Sequence, residues 1–172
     1  MPDVKVWLKK VEFEVSPKAN EQNKGAAFAC HIVVPYAQDL YDILRSMDSV
    51  GYFSKADSLE KTYGDSIQVF KYDLKPGINK EKVFINVRSY TKAKGAFIFA
   101  KLTPGNYMRN IGGSENVVIR FLPNSMEVIA AKSITDMLEE DKSKFVEMKN
   151  QFDTYKGEIQ DIKNLFGNKK NG

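Results

Sequence analysis

The segment KVFINVRSYTKAKGAFIFAKLTPGNYMR, residues 82–109, is the most informative part of the sequence. It contains six basic residues and no acidic residue, although the whole chain has 22 acidic residues. Apolar residues alternate along 82–91 and 96–102, as they do in strands whose two faces meet different surroundings. The short turn at residues 92–95 ends in a glycine, which suits the backbone of a hairpin connection. The segment therefore predicts a β-hairpin.

The two faces of this predicted hairpin differ in chemistry. Val83, Ile85 and Ile98 belong to an aliphatic face suited to the core. The opposite face is both aromatic and cationic, which suits single-stranded nucleic acid because rings stack on bases and Lys or Arg side chains neutralise phosphates. The candidate nucleic-acid-binding residues are Phe84, Arg88, Tyr90, Lys92, Lys94, Phe97, Phe99, Lys101 and Arg109. The alternative is that the phenylalanines are core residues covered by the C-terminal helix.

Outward from this segment, most of the chain also reads as strands. Runs of β-branched and aromatic residues bounded by Pro, Gly, Asn or Ser predict seven strands in all, at residues 4–15, 26–34, 66–73, 82–91, 96–102, 117–122 and 126–134. Leu40, Ile43, Leu44 and Met47 fall at helical spacing and predict a short helix over 36–47. Residues 48–65 contain Gly, Ser and Asp and are interpreted as a loop, with a helical turn within it as an alternative. The pattern predicts an antiparallel barrel or sandwich with a helical extension.

The C-terminal part has a different periodicity. From Thr135 onward apolar residues recur every three or four positions, as along one side of a long amphipathic helix. The sequence thus divides into a β domain, 1–134, and a C-terminal helix, 135–172, that either docks on the domain or oligomerises. The residues assigned to this partner or oligomer stripe are Phe145, Met148, Phe152, Tyr155, Ile159, Ile162 and Phe166.

Composition and motifs argue against several classes of function. The net charge is +4, and the basic excess lies outside residues 133–172, which hold 7 basic and 8 acidic residues. The single cysteine, Cys30, and the single histidine, His31, are neighbours on a predicted strand, so their side chains point to opposite faces. There is no phosphate-binding glycine loop, and Glu139, Glu140 and Asp141 are explained by the positive end of a helix dipole. No enzymatic activity, cofactor or metal is expected.

The sequence also predicts where in the cell the protein is located. No apolar run approaches the length that crosses a bilayer, and the first residues lack the pattern of a secretory signal. The sequence therefore predicts a cytoplasmic protein without a membrane partner.

The order of these pieces resembles a known family, the single-stranded-DNA-binding replication proteins of short-tailed bacteriophages. The matching pieces are residues 6–15, AFACHIVVP at 27–35, 40–47, 83–91, IGGS at 111–114 with 117–121, and 126–134. The resemblance implies an OB fold: an antiparallel, OB-like barrel, mainly β with α, carrying a short internal helix and here a long C-terminal amphipathic helix. One departure concerns the end of the chain. Proteins of that family end in an acidic tail, whereas the last residues of this sequence include Lys169 and Lys170.

The resemblance implies a role in DNA replication or recombination, in the host cytoplasm for a phage-encoded protein. Its partners would be single-stranded DNA, with RNA as an alternative, and replication proteins. The competing hypothesis is a non-enzymatic structural or assembly subunit, such as a virion or secretion-machine component, that forms a homo-oligomer through the C-terminal helix. The length of the stripe from Phe145 to Phe166 motivates this second hypothesis.

Overall fold

The computed structural model of the protein describes residues 5–131. Within this range the chain forms eight strands, two α-helices and two short 3-10 turns, at Glu21–Asn23 and Gly64–Ser66. The strands are β1 Lys10–Val15, β2 Phe28–Pro35, β3 Ile67–Leu74, β4 Glu81–Phe84, β5 Phe97–Ala100, β6 Met108–Asn110, β7 Asn116–Phe121 and β8 Met126–Ala131. The helices are α1 Gln38–Arg45 and α2 Ser49–Tyr63, which lie in sequence between β2 and β3.

The strands form two four-stranded sheets. The first sheet has the order β4-β1-β7-β8, and the second has the order β3-β2-β5-β6. β1 and β7 run parallel, whereas the other paired strands run antiparallel. The described part of the chain is therefore mainly β with two helices, as the sequence predicted at the level of fold class.

The main core lies between the two sheets. Alternate residues of β1, β2 and β7 are buried in one apolar cluster that includes Phe13, Ile32, Ile119 and Phe121. Full burial of a side chain of this size stabilises the folded state by roughly 1.5–3 kcal/mol. Because side chains alternate along a strand, the residues between these point away from the core.

The second sheet has a second apolar face, and the helices cover it. Val33, Phe97 and Phe99 belong to a separate buried cluster with Leu40 of α1 and Tyr52 of α2. The second sheet is thus sandwiched between the first sheet on one side and the two helices on the other. The first sheet carries no helix within residues 5–131.

Helix α2 replaces the predicted loop at 48–65, so that prediction was wrong. The helix begins after Asp48, whose carboxylate accepts a hydrogen bond from the Gly51 amide at 2.7 Å. Its buried side chains include Tyr52, Ala56 and Leu59, at the spacing of one helical face. The Gly and Ser residues that indicated a loop lie in the first turns and on the opposite side. The shorter helix α1 confirms the helix predicted over 36–47.

The predicted hairpin was also wrong. β4 pairs with β1 in the first sheet, and β5 pairs with β2 and β6 in the second sheet. The intervening residues 85–96 cross from one sheet to the other. Because the sheets are two open layers, the OB-like closed barrel was wrong as well. The C-terminal helix and the domain division at residue 134 concern residues beyond 131, which lie outside the described part, and stay predictions.

Candidate functional site

The aromatic residues of the predicted nucleic-acid site do not share a surface. Phe97 and Phe99 are buried beneath α1 and α2. The Phe99 ring stacks on the Tyr52 ring, and the Phe97 ring packs at an angle against the Tyr41 ring. Their alternation along β5 was predicted correctly, but the face they occupy is internal. Neither ring is available to stack on a base.

Phe84 and Tyr90 lie elsewhere. Phe84 ends β4 on the outer side of the first sheet, and 79% of its side chain is exposed. Tyr90 follows in the crossing segment, half-buried, and its hydroxyl donates a hydrogen bond to the Leu8 carbonyl at 3.0 Å. Burial raises the pKa of this hydroxyl. Tyr90 therefore links the crossing segment to residues 5–9, the N-terminal strand region that precedes β1.

Both arginines of the predicted site are bound to the chain itself. Arg88 donates to the Asp65 carbonyl at 2.7 Å, and its guanidinium lies 5.3 Å from the centre of the Tyr36 ring. Arg109 donates to the Met108 carbonyl at 2.7 Å and to the Met126 carbonyl at 3.4 Å. These contacts join loops and strands, so both side chains have a structural explanation.

The three lysines of the predicted site are also separated. Lys92 is exposed in the crossing segment. Lys94 lines an open cleft with Lys5 and Tyr41, whereas Lys101 lines a different cavity beside α2. The basic and aromatic residues that are close in sequence are thus distributed over several surfaces. The predicted oligomer stripe, Phe145 to Phe166, lies outside the described residues.

The cavity beside α2 is a concave site with a largely apolar lining. Its volume is about 280 Å³, and it is lined by Ser49, Val50, Phe53, Ser54, Lys101, Leu102 and Thr103. The start of α2 forms one wall, and the turn after β5 forms the other. The Tyr107 amide donates to the Ser49 hydroxyl at 3.2 Å, which holds the turn against the helix. We call this site the apolar cavity.

A second concave site adjoins the apolar cavity and shares Leu102 and Thr103 with it. This cleft has a volume of about 190 Å³ and is lined by residues of three loops: Asn20, Glu21, Gln22, Leu102, Thr103, Pro104, Tyr107, Pro123 and Asn124. We call it the loop cleft. Sequence reasoning missed the apolar cavity because α2, which forms one of its walls, was interpreted as a loop. The capping residue Asp48 and the spacing of Tyr52, Ala56 and Leu59 were the available signals.

The β1–β2 loop is fixed where it borders the loop cleft. Asn20 has a positive φ of 60° and is almost fully buried. Its side-chain amide donates to the Ala26 carbonyl at 2.8 Å, and its carboxamide oxygen accepts from Asn23 at 3.2 Å. Asn tolerates this left-handed conformation better than most residues, and its short side chain closes the loop on itself. The cleft therefore has a preformed wall.

Cys30 and His31 project to opposite sides of β2, as the sequence predicted. Cys30 is buried between the sheets, and burial raises the pKa of its thiol far above the ordinary value. His31 lies on the helix side, with Nδ1 2.8 Å from the Tyr52 hydroxyl. Burial, and then the nearby Lys71, lower the pKa of the His31 imidazole. The two side chains cannot act as a nucleophile and base pair.

Among residues 5–131, no group of three or more His, Cys, Asp or Glu side chains is placed to hold a metal ion. No helix in this part of the protein combines the length and the hydropathy needed to cross a bilayer.

Comparison with solved structures identifies similar folds. The structure of Serratia marcescens Lip, described as a membrane-bound component of the type VI secretion system, matches with a TM-score of 0.55 and 11% identity, over 72% of this chain and 96% of that chain. The type VI lipoprotein TssJ1 from Pseudomonas aeruginosa matches with a TM-score of 0.55 and 10% identity, over 73% and 98%. A chain of a type VI membrane complex matches with a TM-score of 0.51 and 15% identity, over 71% and 98%. No protein-family model and no curated protein matches the sequence.

These likenesses correct the functional predictions made from sequence. The resemblance to phage single-stranded-DNA-binding proteins was wrong, and so was the role in DNA binding and replication that followed from it. The cytoplasmic location and the partners, single-stranded DNA and replication proteins with no membrane, were wrong for the same reason. The described part of the chain shares its fold with components of the type VI secretion system.

Proposed function

We propose that this protein is a non-catalytic assembly subunit of a bacterial envelope complex, of the type VI secretion kind, and that it acts by binding protein partners. The observation that carries the proposal is the fold match over 96–98% of the length of the solved chains. Fold alone does not dictate activity. The proposal therefore also draws on what the surface of this chain offers.

The chemistry of the described residues supports a non-catalytic role. The only histidine and the only cysteine of the chain are both used in packing, on opposite faces of β2. Tyr52, which contacts His31, is buried, and burial raises the pKa of its hydroxyl. A buried thiol and a buried phenol that both keep their protons are poor nucleophiles.

The adjoining apolar cavity and loop cleft support a role in binding another protein. Protein interfaces commonly combine an apolar centre, where an anchoring side chain of the partner is desolvated, with a polar rim. Here Val50, Phe53 and Leu102 supply apolar walls, and the loop cleft supplies Gln22 and Asn124 beside them. The loops are held on a two-sheet scaffold, so the surface is presented in a fixed shape.

The proposal is tested by locating the full chain in the bacterium that encodes it. An affinity-tagged copy is expressed at its natural level, membranes are separated from soluble protein, and the detergent extract is resolved by sedimentation. We expect the protein in the membrane fraction, in a particle much larger than 19.5 kDa, together with secretion-complex components identified by mass spectrometry. Recovery as a soluble monomer would overturn the proposal.

A matched pair of variants tests the role of the apolar cavity. Val50 lines the cavity and is 56% exposed, whereas Ile43 is 38% exposed on α1 and does not line it. Both are β-branched residues on helices, so Val50→Glu and Ile43→Glu introduce the same charge into similar backbones. We expect Val50→Glu to be lost from the large particle and Ile43→Glu to be retained. Equal behaviour of the two variants would remove the cavity from the interface.

A further inference from the structure

The N-terminal strand region carries an exposed tryptophan and a run of lysines on the outer side of the first sheet. Val6 and Leu8 are buried in the core, so Trp7 between them faces outward, with 47% of its side chain exposed. The amides of Lys9 and Lys10 both donate to the Glu115 carbonyl, at 2.8 and 3.0 Å. Two residues opposite one acceptor form a β-bulge. As a result Lys9 and Lys10 both lie on the outer side with Trp7 before Val11 returns to the core.

Phe84 lies beside these residues on the neighbouring strand. Its cross-strand partner is Lys10, so the two side chains share the outer face. Because the bulge sets Lys9 and Lys10 at one position, Trp7 and Phe84 are about two positions apart along adjacent strands, or roughly 7 Å at the rise of a β-strand. They are the only aromatic side chains among the exposed large hydrophobic residues of the described range. We call Lys5, Trp7, Lys9, Lys10 and Phe84 the aromatic–lysine edge.

Charge is distributed unevenly over the outer face of the first sheet. At the far end Arg120 forms ion pairs with Glu14 at 2.7 Å and Glu127 at 3.3 Å. Lys82 lies 4.0 Å from Glu12. At the aromatic–lysine edge, the ion pairs found among residues 5–131 include none of the three lysines. The acidic residues beside them are Glu115 and Glu12, and the Glu12 carboxylate lies near Lys82. Positive charge and exposed rings therefore coincide at one end of the sheet.

We propose that the aromatic–lysine edge lies against an anionic phospholipid surface. Tryptophan is favoured at the boundary between lipid headgroups and acyl chains, and lysines next to anionic headgroups strengthen binding by roughly fivefold each. Phe84 projects from a sheet rather than lining a concave site, and a fluid bilayer accommodates a projecting ring without a preformed pocket. A protein partner would need a pocket of matching shape. The proposal relies on the proposed function only for its envelope setting.

Trp7 is the only tryptophan of the chain and reports its own environment. The full-length protein is mixed with vesicles of phosphatidylglycerol and phosphatidylcholine, or of phosphatidylcholine alone, and the emission of Trp7 is recorded together with co-sedimentation. We expect a blue shift and co-sedimentation only with the anionic vesicles, weakening as salt rises. Brominated lipids quench an indole only when it enters the bilayer, so we expect them to quench the emission of Trp7.

Two variants that keep Trp7 test the assignment. Phe84→Ser and the pair Lys9→Glu with Lys10→Glu should each reduce vesicle affinity at least about tenfold. The charge-matched control is Lys55→Glu with Lys61→Glu, on exposed positions of α2, and it should bind nearly as well as the unmodified protein. Circular dichroism checks that each variant is folded.

Three outcomes would overturn the proposal: no binding to anionic vesicles at low salt, binding without quenching of Trp7, or equal loss in the α2 control. An edge that binds an acidic protein instead would give the first outcome. None of these outcomes affects the sedimentation test of the proposed function, which measures assembly in the cell.

Discussion

The ring of Tyr52 stacks nearly parallel on the ring of Phe99, with centroids 4.2 Å apart and planes inclined by 9°. The first ring belongs to α2 and the second to β5, so the stack joins the helical layer to the second sheet. The Tyr52 hydroxyl also reaches His31 on β2. One buried side chain thus connects the helix to two adjacent strands.

Loss of this stack should destabilise the protein strongly. We expect Tyr52→Ala and Phe99→Ala each to lower the free energy of unfolding by about 3–5 kcal/mol, because each leaves a cavity in a packed layer. Tyr52→Phe keeps the ring and should cost only about 1 kcal/mol, from the lost hydrogen bond. Urea unfolding of the three variants checks this order. Equal losses for Tyr52→Phe and Tyr52→Ala would show that the ring contact contributes little.

Stability should depend on the protonation of His31. Its pKa in the folded protein is lowered by burial and by Lys71, while the acidic groups of Glu60, Asp73 and Asp57 oppose the shift. Between the folded pKa and the ordinary value of about 6.5, the unfolded chain binds a proton that the folded chain does not. The free energy of unfolding should therefore be highest above that ordinary value and should fall as the pH drops below it.

Because His31 is the only histidine, a single substitution tests this dependence. Urea midpoints measured from about pH 7.5 to about pH 5 should decline for the unmodified protein, over the range where histidine titrates. The profile of His31→Gln should be flatter over the same range. A variant profile with the same slope as the unmodified protein would assign the titration to other groups.

Gly95 should resist substitution because α1 lies against its backbone. A Cβ atom at Gly95 would lie 2.8 Å from Cε2 of the Tyr41 ring, whereas a Cβ atom at Gly113 would meet nothing within 4 Å. We expect Gly95→Ala to cost about 1–3 kcal/mol from overcrowding. Gly113→Ala should change stability by less than about 0.5 kcal/mol. Thermal unfolding of the two variants compares them directly, and a neutral Gly95→Ala would mean that Tyr41 moves aside freely.

Cys30 should report on global unfolding. The thiol is buried between the sheets and keeps its proton, so a maleimide can reach it as thiolate only when the core opens. We expect labelling of the folded protein to be slower than labelling in urea by on the order of a thousandfold or more, given ordinary unfolding free energies. Mass spectrometry follows the reaction at the single cysteine. Fast labelling without denaturant would contradict the burial of this residue.

Local patterns in the sequence predicted single elements well. Alternation identified β2, β3, β5 and β7 within about two residues, and helical spacing identified α1. Pairing between strands could not be read in the same way. The segments that became β4 and β5 look like a hairpin, because each has alternating residues and a glycine-containing connection separates them. Pairing with strands distant in sequence determines which sheet each segment joins. β4 pairs with β1 in the first sheet, and β5 pairs with β2 in the second.

The candidate site was harder to predict for a related reason. Phe97 and Phe99 alternate correctly, but alternation does not tell whether a second face of a sheet meets water or a helix. Whether this face is covered depended on α2. The glycine and serines of α2 have low helix propensities, so they favour a loop when propensity alone is considered. Tyr52, Ala56 and Leu59 mark its buried face only once the helix is assumed. The error at 48–65 therefore propagated into the functional prediction.

The parallel pairing of β1 with β7 has a consequence for synthesis on the ribosome. β1 leaves the ribosome before both of its neighbours in the first sheet, which come from residues 81–121. Until Phe121 has left the exit tunnel, β1 has no complete set of strand partners and its apolar face stays uncovered. The first sheet is therefore completed only after β7 and β8 have been translated. A chaperone that shields the N-terminal segment during that interval would raise the yield of folded protein.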